Sequence, residues 1–286
     1  MTRLTPDMIR NVPYTSTERD IELARSIGMT LKDLAYGAVG LRPDELIPED
    51  YLVAAVPVTS GKGATTGFSE SVCAIAEHLG MRSLVTRRTD VAGLSDALTA
   101  KADIVFMADD DEFIALNVQT GSFADNTRST ALGYFTAFKR AAGSLHGKDV
   151  LLIGAGRVGN RVGDMLAVEQ ARVTVVDKDI SRSEALCRRH GGFTSCDDLE
   201  KAVRKNRLIF NASPARLPGK WIMDGAIISS PGVPFSFDEE GLRKIKVLIH
   251  DPLQIGVSVM AVWSASLSRS SAAMPVRKPI WLEVFP

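Results

Sequence analysis

At 286 residues the chain is long enough for one or two domains, and 45% hydrophobic with 24% charged residues is the balance of an ordinary globular protein. Lys plus Arg equal Asp plus Glu at 34 each, so the formal net charge is zero and argues against a general attraction to nucleic acid or an anionic membrane. The three cysteines, Cys73, Cys187 and Cys196, show no C-x-x-C spacing and point away from a disulfide framework. With no secretory pattern and no bilayer-length apolar run, a cytoplasmic location is expected.

The chain opens on Thr5-Pro6-Asp7, a helix start with Thr5 as cap and Pro6 at the first helical position. Residues 17–27 read as a helix stopped by Gly28, and residues 31–36 as a second. Pro43 and Pro48 punctuate a loop. Residues 51–58 form a buried strand, followed by the polar turn Thr59-Ser60-Gly61-Lys62-Gly63. A helix at 68–79 ends at Gly80, and a strand at 84–86 follows. Asp90-Val91-Ala92-Gly93 leads into a helix through Ala100, and a strand at 103–108 ends on Asp109, Asp110 and Asp111. Residues 114–117 are short and apolar, and residues 121–126 make a polar turn. Strands alternating with helices predict a parallel-type α/β layer. A helix at 130–142 and a linker at 143–148 place the boundary between a first domain, 1–144, and a second, 145–267. Residues 268–286 change character and are expected to form a disordered or loosely docked tail.

The second domain carries the strongest signal. The apolar strand 150–153 runs into Gly154-x-Gly156-x-x-Gly159, and Val162, Met165, Leu166 and Val168 then repeat at helical spacing. In this context Gly154 permits a tight turn, Gly156 a close approach of a pyrophosphate, and Gly159 close helix–strand packing. Amides at the helix start, from Gly156, Arg157 and Val158, favour phosphate. The strand at 172–176 ends on Asp177, the place about 20 residues on where a Rossmann fold presents a carboxylate to the adenosine ribose. A carboxylate repels a 2′-phosphate, so NAD rather than NADP is the expected cofactor. Further strands at 208–210, 226–230 and 247–250 end near Ala212-Ser213-Pro214, Pro231 and Asp251, on the edge where such sheets bind ligands. A helix at 255–267 closes the domain.

Three polar clusters follow the first-domain strands: Thr59-Ser60, Asp109-Asp110-Asp111 and Asp125-Asn126. Each alone reads equally as a solvated turn or helix cap. The first two follow strands of one layer and so share an edge, and a nicotinamide enzyme needs its substrate pinned opposite the cofactor. Carboxylates and amides suit a substrate bearing amines, whereas an Arg-rich pocket would suit an anion. Lys62 reads as an anion ligand, a base or a solvated turn residue. His78, His146, His190 and His250 lack metal-ligand spacing, and only His250, beside Asp251, falls near the expected site. Cys73 lies on an apolar helix face and is assigned to the core.

Val56-Pro57-Val58-Thr59-Ser60-Gly61, Gly67-Phe68-Ser69-Glu70-Ser71 and Met107-Ala108-Asp109-Asp110 together resemble the pyrrolysine synthase family. Asp90-Val91-x-Gly93, Gly154-x-Gly156-x-Val158-Gly159 and Ser230-Pro231-Gly232-Val233-Pro234 fit the same likeness, which spans residues 1–267. The resemblance implies an NAD-dependent oxidation of the terminal amine of 3-methyl-D-ornithine joined through its carboxyl group to the lysine side-chain nitrogen. Ammonia is released and the pyrroline ring of pyrrolysine closes. It further implies that Leu4 lies on a mobile N-terminal helix closing over substrate. By the same resemblance Ser60, Asp109 and Asn126 would bind substrate polar groups, and Asp251 would line the site. At Asp251 the family is expected to carry a glutamate, so a methylene of reach is lost here and a contact becomes water-mediated. Asp109 or Asp251 is expected to recruit the substrate ammonium and accept its proton. A dehydrogenase of the shikimate or methylenetetrahydrofolate type, and a non-catalytic NAD(H) sensor, are the competing expectations. A homo-oligomer stays open.

Overall fold

In the computed structural model residues 4–268 are described. They form two compact units, one of residues 4–133 with 252–268 and the other of Tyr134–Asp251.

The first unit starts with three helices, α1 (Pro6–Ile9), α2 (Val12–Ile27) and α3 (Leu31–Val39). Helix α2 begins earlier than the apolar spacing predicts, because Pro13 suits a first turn whose amides need no intrahelical acceptor. Gly28 ends it at φ 69°, and Thr30 with Asp33 forms a reciprocal cap on α3.

The α/β layer follows: β1 (Leu52–Val56), α4 (Phe68–His78), β2 (Arg82–Val85), α5 (Asp90–Thr99), β3 (Ile104–Ala108), β4 (Phe113–Asn117) and β5 (Phe123–Asp125). The sheet order is β2-β1-β3-β4-β5. The alternating strands β1, β2 and β3 are parallel, while β4 and β5 extend the sheet antiparallel. Residues 123–125 are thus a strand where a turn is expected, since a three-residue strand is too short to show alternation. Val56, Ala97 and Val105 lie in the core between α5 and the sheet.

Helix α6 (Asn126–Ala142) belongs to the first unit up to Gly133 and to the second from Tyr134. The second unit then runs β6 (Asp149–Ile153), α7 (Arg157–Val168), β7 (Arg172–Val176), α8 (Ile180–Arg189), β8 (Phe193–Ser195), α9 (Leu199–Val203), β9 (Leu208–Asn211), β10 (Ala226–Ser229), α10 (Glu239–Lys244) and β11 (Ile245–Ile249). All six strands are parallel, in the order β11-β10-β9-β6-β7-β8. The order reverses between β9 and β6, which places the switch point beside the glycine-rich turn. Leu151, Ile153, Ile209 and Ile228 fill the core as continuous apolar runs, the pattern of strands covered on both faces.

The domain assignment differs from the sequence expectation in two places. The boundary falls at Gly133/Tyr134, inside α6, rather than at residue 144, and α11 (Gln254–Leu267) packs on α3, α4, β4 and β5 of the first unit. Helix α11 buries Val257, Val259, Met260, Ala261 and Val262. A helix apolar on all sides must be enclosed, but its composition does not say by which unit. Of the residues assigned to the tail, all but Ser268 lie outside the described residues. No helix among the described residues is long and apolar enough to cross a membrane.

Candidate functional site

In the second unit, the turn after β6 forms a cradle. Gly154 has φ 92°, and a Cβ there would meet the Ala212 carbonyl oxygen and the Ser213 Cβ at 3.0 Å each. A Cβ on Gly159 would collide with the Gly154 carbonyl, so only glycine allows α7 to start this close to the strand. Gly156 differs: a Cβ there would meet nothing within 4 Å. That open backbone face is what a pyrophosphate would occupy, with the first-turn amides of α7, among them Arg157 and Val158, as donors.

Asp177 at the end of β7 takes the Ala155 N–H on Oδ2 at 2.7 Å and the Asp179 N–H on Oδ1 at 2.9 Å. Its side chain therefore borders the glycine turn, as the ribose-binding reading requires. Asn211 shapes the neighbouring loop. Its Oδ1 accepts from the Ser213 hydroxyl at 2.8 Å and the Ser213 N–H at 3.2 Å, and its Nδ2 donates to the Ala215 carbonyl at 3.2 Å. A Cβ on Gly232 would strike the Ser213 carbonyl, so the Pro231-Gly232 segment lies directly against the Ser213-Pro214 segment. All the expected cofactor residues thus gather at the carboxyl ends of β6, β7, β9 and β10, and their shape fits a dinucleotide.

In the first unit, the three polar clusters share one sheet edge. Val56 pairs with Met107, Met107 with Ile114 and Ile114 with Asp125, so the exits of β1, β3 and β5 stand in a row. Ser60 and Asp109 are exposed there, and Asn126 is half-buried. The Asp110 carboxylate accepts from the Lys62 N–H at 3.0 Å, joining the turn after β1 to the turn after β3. Asn126 Oδ1 accepts from the Thr130 hydroxyl at 3.2 Å and stands close to Gly256 of α11.

Asp109 closes its own turn. Its Oδ1 accepts the N–H groups of Asp111 and Glu112 at 2.8 Å each. Those amides, Glu112 foremost, hold its carboxyl below the usual carboxylate range. Its Oδ2 takes no hydrogen bond from the described residues. The group is therefore a fixed anion with one oxygen available.

Asp251 is the last residue of the second unit and is only 2% exposed. Tyr134, the first residue of that unit, donates its hydroxyl to the Asp251 carbonyl at 2.6 Å and accepts from the Asp251 N–H at 2.9 Å. His250 bonds through Nδ1 to the Ser230 carbonyl at 2.7 Å, which places the ring proton on Nδ1, and its ring stacks edge-on against Phe235. Leu4, expected on the N-terminal helix, instead precedes α1, whose first turn Pro6 opens, and its carbonyl accepts from the Thr65 hydroxyl at 3.3 Å. Cys73 is buried, and burial pushes its thiol up, as a core cysteine requires. No group of three metal-binding side chains occurs among the described residues.

Sequence alone gives Tyr134 and Asp90 no role at the site, and it names Asp110 only as a member of an acidic cluster. Asp90 was visible only as part of a motif, and a tyrosine within a helical run carries no signal of a partner far along the chain.

The fold and the glycine cradle define a class, a dehydrogenase fold built around a Rossmann dinucleotide unit. The shikimate/quinate 5-dehydrogenase family model matches residues 136–219. A quinate dehydrogenase from Corynebacterium glutamicum in complex with NAD superposes with a TM-score of 0.52 at 14% identity, covering 76% of this chain and 93% of that one. A shikimate dehydrogenase from Aquifex aeolicus gives 0.52 at 11% identity, covering 81% and 97%. The family follows from the sequence relatives. The family model for the N-terminal domain of the pyrrolysine biosynthesis protein PylD matches residues 8–124. A pyrrolysine synthase of Methanosarcina acetivorans is 34% identical over 264 residues, covering 91% of this chain and 98% of the relative. One of Methanosarcina barkeri is 32% identical over 264 residues, covering 91% and 97%. The chain belongs to the pyrrolysine synthase family.

Proposed function

We propose that this chain oxidises the terminal amine of a 3-methyl-D-ornithyl group carried on the lysine side-chain nitrogen, with NAD as oxidant, and so forms the pyrroline ring of pyrrolysine. The observation that carries the reading is the match to two pyrrolysine synthases over nearly their whole length. The glycine cradle and the acidic edge of the first unit are consistent with it.

Gly154, Gly156, Arg157, Val158 and Gly159 would hold the pyrophosphate, with Ala212, Ser213, Pro214 and Pro231 beside them. Asp177 would take the ribose hydroxyls and disfavour a 2′-phosphate, which is the basis for NAD over NADP. When bound, NAD would supply the hydride acceptor for the carbon bearing the amine. In the first unit, Asp109 anchors the substrate ammonium, and Ser60 and Asn126 orient it. Hydride loss needs the nitrogen lone pair, so the ammonium must first give up a proton. The amides of Glu112 and Asp111 make Asp109 a weak proton acceptor. Asp251, the other carboxylate that the family resemblance brings to the substrate, is proposed as the base. The resulting iminium takes up water and expels ammonia to leave an aldehyde. The α-amine condenses with that aldehyde, losing water, and the five-membered ring closes.

Turnover of the isopeptide by Asp251→Asn at near wild-type rate contradicts the assignment of the base. Oxidation of shikimate or quinate with no response to the isopeptide favours the shikimate-type reading instead.

A further inference from the structure

The Asp90-Val91-Ala92-Gly93 motif stands outside the residues assigned to cofactor or substrate, yet the structure gives it a specific task at the exit of β1. Asp90 opens α5 with φ 56°, in the left-handed region that a non-glycine residue rarely occupies. Such strain persists where surrounding bonds over-determine it, often near functional segments. Here the bonds, apart from one to the adjoining Thr89, are to the segment leading into the turn that carries Ser60. The Asp90 N–H donates to the Pro57 carbonyl at 2.9 Å. Its Oδ1 accepts the Thr59 N–H at 2.7 Å, and its Oδ2 accepts the Thr59 hydroxyl at 2.6 Å and the Thr89 hydroxyl at 2.8 Å.

Gly93 explains how α5 comes near enough. A Cβ there would lie 2.7 Å from a Val56 side-chain carbon and 3.0 Å from the Thr86 hydroxyl oxygen, and would collide with the Arg88 carbonyl. The far end of the same turn is held by Asp110 through the Lys62 N–H. Gly61 at φ 64° leaves no room for a side chain against Asp110. The turn is thus fastened at both ends, and Ser60 sits between the two fastenings.

We infer that Asp90 is a positioning residue that sets Ser60 for the substrate by stapling residues 57–59 to the start of α5. The inference rests on the substrate reading above for the role of Ser60, while the staple itself is independent of it. Thr59 hydroxyl and amide bonds, with that of Thr89, also hold the Asp90 carboxyl below its usual range, so it is ionised at neutral pH.

The experiment compares Asp90→Ala, Asp90→Asn and Thr59→Val with wild type. It reads KM and kcat for the isopeptide, NAD affinity by fluorescence, and hydrogen exchange of residues 57–63 and of α5. Asp90→Ala is expected to raise KM by about tenfold or more with kcat nearly kept, as for a displaced binding group. NAD affinity should stay unchanged, and Asp90→Asn should partly restore KM. Thr59→Val leaves α5 intact, and it should raise KM and speed exchange in 57–63 but not in α5. Wild-type KM together with wild-type exchange in Thr59→Val overturns the inference, even if Asp90→Ala fails to fold. A wild-type enzyme inert toward the isopeptide refutes the substrate reading instead, and the exchange data still decide the staple.

Discussion

The hydroxyl of Tyr134 donates to the carbonyl of Asp251 and accepts from its amide, so one side chain satisfies both backbone groups of a buried residue. The Tyr134 carbonyl in turn accepts from the buried Ser229 hydroxyl at 3.1 Å. The first and last residues of the second unit are thereby locked, and the backbone from which the Asp251 carboxylate projects is fixed. Tyr134→Phe removes both of these hydrogen bonds, at about 0.5–1.5 kcal/mol each. The expected outcome is a lower midpoint in chemical denaturation and a reduced kcat. Wild-type stability in this variant contradicts the locking role.

Gly156→Ala and Gly159→Ala separate cradle from fold. A Cβ at 156 meets no protein atom, so that variant should fold with a melting temperature close to wild type but bind dinucleotide poorly. A Cβ at 159 collides with backbone, so that variant should lose stability as well. Thermal melts with and without NAD check both. Equal damage to stability in the two variants would sink the distinction.

These glycines were legible in the sequence because each answers a local steric demand within one strand–turn–helix unit. The same holds for Gly28, which ends α2 where the apolar spacing runs out. Long-range features were not legible. Nothing local to Tyr134 indicates Asp251, and nothing in the apolar run of α11 tells which unit encloses it. Strands β5 and β8 were missed because three residues cannot display a period of two. Two of the polar clusters of the first unit were expected on one edge because their strands belong to one layer, and strand register adds the third, after β5.

The state of Asp109 has a consequence for pH. Its carboxyl titrates lower in the folded chain than in the unfolded one, so its contribution to stability is full above the unfolded value, about 3.9. The contribution is lost as pH falls through the folded value. Wild type should therefore exceed Asp109→Asn in stability at neutral pH, with the gap closing in strong acid. Because Asp109 stays ionised, its replacement should raise KM yet leave the shape of the kcat profile between about pH 5 and 9 unchanged. Denaturation at several pH values and steady-state kinetics check the two halves. A missing kinetic limb in Asp109→Asn would return the proton-accepting role to this residue.

On the proposed reading, Asp177 carries the preference for NAD over NADP. Asp177→Asn removes the charge that repels a 2′-phosphate and weakens the tie to the Ala155 N–H. The ratio of kcat/KM for NAD over NADP should fall by about tenfold or more, a change of about 1.4 kcal/mol. An unchanged ratio would place the selectivity elsewhere.

Turnover is followed by absorbance at the reduced-nicotinamide band with purified protein, NAD and the methylornithyl-lysine isopeptide, and the product is then weighed. The expected result is NADH formed in step with a product that has lost two hydrogens and one ammonia, with a pyrroline ring. No NADH, in a preparation shown separately to bind NAD, contradicts the proposed reaction.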